Sequence, residues 1–84
     1  MKLEEQIYES MMGELPEPLP WVENAFAEGS KCAELYADIY HANCSLCERL
    51  GVAEDPDVEQ IIDHFFEINR ELCLRMYQYG MMAK

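Results

Sequence analysis

The stretch Asp55-Pro56-Asp57-Val58-Glu59-Gln60-Ile61-Ile62-Asp63-His64-Phe65-Phe66 decides how this chain is read. Asp55 stands at a cap position, Pro56 at the first helical position and Asp57 in the first turn. A proline costs nothing there, because its missing N–H would have no partner in the helix anyway. Beyond this start, Val58, Ile61, Ile62, Phe65, Asn69, Leu72, Met76 and Tyr79 share one face at the helical period. Phe66, Cys73 and Tyr77 flank that face, and Leu74 sits alone on the opposite, charged side. The pattern predicts a helix from Pro56 to Tyr79, stopping near Gly80 and roughly 35 Å long at ~1.5 Å per residue.

Working backwards, Ser30 is a good cap and Gly51 a good stop, so a second helix is expected over Lys31 to Leu50. With Ile39 as reference, Cys32, Leu35, Tyr36, Asn43, Leu46 and Leu50 fall within about 60° of it. Ala33, Ala37, Tyr40, Cys44 and Cys47 form a flanking strip. A connection of about five residues favours antiparallel neighbours. The two helices are therefore expected to zip along their apolar faces, with Ile39 near Glu67 and Ile68 and with Cys32 near Cys73 or Leu74.

The first third of the chain supplies the cover for this hairpin. Leu3, Ile7 and Met11 repeat every four residues, with Tyr8 and Met12 beside them, which predicts a helix ending at Met12 before Gly13. Pro16, Pro18 and Pro20 then forbid helix over residues 13–20 and favour an extended strap. A short helix is expected from Trp21 to Glu28, stopped by Gly29. The resulting expectation is an all-α protein. It is a small antiparallel helical bundle built on a long two-helix hairpin, with an N-terminal helix and a Pro-rich strap packed on it.

Composition narrows the function. The chain has 84 residues, 17 acids and 6 bases, for a net charge of −11. Such a balance argues against gripping a phosphate backbone or an anionic lipid surface. No apolar run approaches the length of a membrane span, and the acidic start Leu3-Glu4-Glu5 does not resemble an export signal. The chain reads as cytoplasmic, with its four cysteines reduced. Five Tyr, six Met, three Phe and one Trp are many for so small an interior. Apolar area left over marks an interface, and a homodimer is the expected way to cover it. Trp21, Tyr40, Phe66, Leu74 and Tyr77 are the residues expected on an interaction surface.

Three constellations could carry chemistry. Cys44-Ser45-Leu46-Cys47 has the spacing of zinc and redox sites. It lies several turns inside a helix, however, and no second Cys/His pair completes it, so a packing role is preferred. Asp38 with His41, and His64 with Glu67, have the i, i+3 spacing used by carboxylate–histidine metal sites. On the helical wheel His41 points away from the core and His64 lies at its edge beside Ile68 and Arg75, so solvated side chains are the simpler reading. Asn43 and Asn69 interrupt apolar stripes, so each is expected to bond across a helix interface. The serines 10, 30 and 45 lie in no nucleophile turn, and the four glycines punctuate helix ends without forming a phosphate loop. No catalytic residue, cofactor or metal is assigned. The favoured function is an interaction or regulatory module with an unidentified protein partner. A metal- or thiol-dependent site at the bundle interface using Cys44 and Cys47, with His41 or His64, is the alternative.

The segments Leu15-Pro16-Glu17-Pro18-Leu19-Pro20-Trp21-Val22 and Asn24-Ala25-Phe26-Ala27-Glu28-Gly29-Ser30, together with Leu50-Gly51-Val52 and the ending Glu71-Leu72-Cys73-Leu74-Arg75-Met76-Tyr77-Gln78-Tyr79-Gly80, carry a resemblance. The chain resembles a family of short acidic all-helical proteins of unknown function from Gram-positive gut anaerobes. The resemblance implies an intracellular bacterial protein and brings no activity with it.

Overall fold

A computed structural model describes residues 1–83. The protein is all-α, with α1 over Leu3–Met11, α2 over Lys31–Leu50 and α3 over Pro56–Met82. Local chemistry sets these boundaries. The Ser30 hydroxyl accepts the Ala33 N–H at 3.1 Å, which opens α2. Gly51 closes that helix in the left-handed region at φ 73°, a conformation that costs a residue with a Cβ about 1–2 kcal/mol. Asp55 accepts from the Asp57 and Val58 N–H groups at 3.0 and 3.1 Å, and Pro56 follows it into α3. No helix among the described residues is long and apolar enough to cross a membrane.

Two expectations about secondary structure differ from what is observed. Residues 21–28 form turns and bends, not a helix. The Asn24 side chain accepts the Phe26 N–H at 2.9 Å, and the Ala27 N–H donates to the Asn24 carbonyl at 3.2 Å. Such local bonds compete with the helical ladder. The last helix also runs through Gly80 to Met82. A Cβ at Gly80 would meet no other residue within 4 Å, and a glycine within a helix costs only about 1 kcal/mol relative to alanine.

The strap is tied to the end of α1. The Leu19 N–H donates to the buried Ser10 hydroxyl at 2.7 Å, and the Ala25 N–H donates to the Met11 carbonyl at 2.7 Å. The chain reverses at Gly13, whose φ is +73°. A Cβ there would stand 2.7 Å from the Asn24 amide nitrogen.

Tertiary packing departs from the zipped hairpin. The helix pair that packs is α1 on α3, braced by an Arg70–Glu5 ion pair at 3.5 Å. The Arg70 guanidinium also lies 5.7 Å from the centre of the Tyr8 ring. Between α2 and α3 the rings of Tyr36 and Phe66 meet at 6.0 Å, but the apolar faces on either side of that contact do not close. Among the described residues only Tyr8, Ser10 and Cys47 are buried. The radius of gyration is 15.7 Å, whereas a compact domain of this length has a radius of about 12 Å.

Candidate functional site

The chain leaves an apolar face uncovered. On α3 it comprises Ile61, Phe65, Ile68, Leu72, Met76 and Tyr79, and on α2 Leu35, Ile39 and Leu50. Phe65 is 66% exposed, Leu72 60% and Met76 76%. These are largely the residues whose spacing marked the expected core. Near the start of α3 Val58 and Ile62 are half-buried, and from Phe66 onward the half-buried side carries Phe66, Arg70, Cys73, Leu74 and Tyr77 instead. At 100° per residue this side lies roughly 150° from the exposed stripe. α3 thus turns its flank to α1 and its most apolar face to solvent.

That rotation sorts the residues expected on an interaction surface by exposure. Phe66, Leu74 and Tyr77 are half-buried, while Trp21 and Tyr40 are exposed. Leu74, alone on the wheel, lies on the packed side of α3 because α1 takes up that side. The side chains that stand free were missed because the most regular apolar stripe was assigned to the intramolecular core.

Where α1, the strap, α2 and α3 converge, a cleft of about 510 Å³ opens. Tyr8, Phe26, Tyr36 and Phe66 line it, with Glu14, Glu67 and Arg70 among its polar groups. The Phe26 and Tyr36 rings stand edge to face at 6.1 Å. Burial pushes the Tyr8 hydroxyl above its ordinary pKa. Cys73 and Glu14 push it the same way, and Asn69 and Arg70 act against them. The cleft is the node at which the elements meet. Its carboxylates and guanidinium surround no nucleophile with an adjacent base.

The polar candidates do not gather into one centre. His41 is exposed, its ring 5.7 Å from that of Tyr40. His64 is exposed too, with Nδ1 2.8 Å from the Gln60 carbonyl. Cys44 is exposed and Cys47 buried. The Cys47 thiol donates to Asn43 Oδ1 at 3.5 Å. Asn43 therefore bonds one turn along its own helix and not across an interface. Asn69 likewise accepts from the Cys73 thiol, at 3.9 Å, one turn along its own helix. A hydrogen bond to Cys44, reinforced by that group's charge, raises the Tyr40 hydroxyl above its ordinary pKa. Among the described residues no three His, Cys, Asp or Glu side chains stand close enough to hold one metal ion.

Ser10 is the structural residue that sequence reasoning passed over. Two signals pointed to it. It follows Ile7 by three positions within the apolar stripe of α1, and Leu19, held between Pro18 and Pro20, has an N–H in need of an acceptor. Comparison with protein-family models, with curated proteins and with solved structures finds no match to this chain.

Proposed function

We propose that this protein is a small protein–protein interaction or regulatory module without a catalytic role. It works as a cytoplasmic homodimer and offers its acidic outer surface to a further protein partner. The observation that carries this reading is the uncovered apolar face of α2 and α3. The chain exposes 6786 Å². A compact monomer of its mass exposes about 5,200 Å², so roughly 1,600 Å² stands in excess. A stable interface takes about 800 Å² from each partner, and obligate dimers take more. Burying this face in a second copy accounts for the excess. The resemblance to acidic helical proteins of Gram-positive gut anaerobes supports a bacterial cytoplasmic setting.

Native mass spectrometry of protein purified with reductant and without chelator tests the reading. A metal-free dimer is expected. A monomer at tens of micromolar removes the dimer from the proposal. A stoichiometric metal mass would replace it with a site at Cys44, Cys47, His41 or His64.

A further inference from the structure

We infer that the second copy lies antiparallel to the first, so that the two α3 helices pair along their whole length about a two-fold axis at the level of Arg70. This arrangement rests on the homodimeric reading above and says which surfaces meet and in what register.

The spacing of the exposed residues carries the first step. Along α3, Val58, Ile61, Phe65, Ile68 and Leu72 recur at alternating steps of three and four, and Tyr79 and Met82 continue the same phase. Arg75 holds the one interrupted position, with Met76 beside it. Along α2, Cys32, Leu35, Ile39, Ala42 and Leu46 follow the same rule. Apolar residues every 3.5 positions are the mark of a helix that packs along its length against another helix. Within the chain, the α3 seam from Ile61 to Met82 has no such neighbour, since Ile61, Phe65, Ile68, Leu72, Tyr79 and Met82 are all exposed.

The connection between the helices supplies the second step. Residues 51–55 reverse the chain, and the Tyr36–Phe66 ring contact marks the sides on which α2 and α3 face each other. Viewed from each helix's own N-terminus, both seams lie on the same rotational side of that contact. Because the helices run in opposite directions, the two seams then turn to one side of the molecule, away from α1. Both seams thus face one side, on which a second copy can stack with helix against helix.

Helix length decides between the two ways of stacking. α2 has 20 residues and α3 has 27, so α3 overhangs by about 10 Å at 1.5 Å per residue. The overhang carries Met76, Tyr79 and Met82, at 76%, 65% and 77% exposure. If both connecting loops sat at one end, each α3 would lie on the shorter α2 of the partner and its overhang would stay bare. With the loops at opposite ends, α3 lies on the partner's α3. Ile61 then meets the partner's Tyr79, and Ile68 meets the partner's Leu72. Arg75 falls over the ring of the partner's Phe65, where a guanidinium and an aromatic face attract. One polar position in a seam also selects register over its alternatives.

Cross-linking of the full chain tests the arrangement. In a background carrying Cys32→Ser, Cys44→Ser and Cys73→Ser, one preparation carries Ile61→Cys and a second Tyr79→Cys. Mixed and oxidised, they should form an inter-chain disulfide at several-fold the yield of Ile61→Cys mixed with Leu46→Cys. The reverse ratio places the loops at one end and overturns the antiparallel pairing while leaving the dimer standing. Sedimentation of the unmodified chain separates the two ideas, because a monomer overturns both. Ile68→Glu with Leu72→Glu, which sets like charges face to face at the two-fold axis, should raise the dimer dissociation constant by roughly 100-fold or more, as expected when two buried apolar contacts are lost. Unchanged dimer affinity in that variant overturns the seam. If the variant loses its helical circular dichroism, the cross-linking ratio in the milder variants decides alone.

Discussion

The two ends of this molecule solve the same problem in opposite ways. At the N-terminal end, α1 and the strap hold each other through a few directed bonds. Ser10 takes the Leu19 N–H, Met11 takes the Ala25 N–H, and Gly13 bends the chain so that both can form. Tyr8 is buried there, with the Arg70 guanidinium of α3 over its ring. Along α2 and the outer face of α3, apolar side chains such as Ile39, Phe65 and Leu72 stand exposed instead. The comparison teaches that apolar pattern identifies area that has to be covered, whereas polar geometry identifies which covering contact the chain itself supplies.

A pair of ring deletions breaks or confirms this contrast most strongly. Tyr8→Ala removes a buried ring and should cost about 3 kcal/mol or more of folding stability in urea titrations. Phe65→Ala removes an exposed ring of similar size. Measured at concentrations where the chain is monomeric, it should stay within about 0.5 kcal/mol of the parent. Equal losses would mean that Phe65 is already packed inside one chain.

A smaller effect is expected from Ser10→Ala. It leaves the Leu19 N–H without its acceptor and should cost about 1–3 kcal/mol. Faster hydrogen exchange at the Leu19 amide would identify the bond responsible. Gly13→Ala should cost about 1–2 kcal/mol, because its φ of +73° disfavours a Cβ. The added methyl would also displace the Asn24 amide. Restoring stability by combining it with Asn24→Ala would separate the steric part from the backbone part.

The gentlest probe is pH. Burial holds the Tyr8 proton more tightly in the folded chain than in the unfolded one. The associated stabilisation is fully present below the unfolded value of about 10 and is lost as pH rises through the folded value. Stability of the parent should therefore decline more steeply than that of Tyr8→Phe as pH rises from the unfolded value through the folded one. Identical slopes in thermal melts would remove Tyr8 from the account.

Much of the secondary structure was legible because its causes are local. Ser30, Gly51, Asp55 and Pro56 each act within one turn of themselves, and the observed ends of α2 and the start of α3 fall where those residues place them. Residues 21–28 misled because Trp21, Ala25 and Phe26 have helical spacing while Asn24 diverts the backbone through its own side chain. Gly80 misled because a glycine is a frequent stop but not an obligatory one. The candidate site was half legible. Surplus aromatic and Met residues pointed to exposed apolar area, yet Phe66, Leu74 and Tyr77 were expected on it and Phe65, Ile68 and Leu72 inside.

The sequence by itself determined the all-helical class, the main helix boundaries and the excess of apolar area over available core. These follow from interactions spanning one to four residues and from composition. Only the tertiary structure decided which face of α3 meets α1 and which is left open. That choice depends on Tyr8, Glu5 and Arg70 meeting across some 65 residues of chain. A periodic stripe carries no record of which neighbour will reach it first.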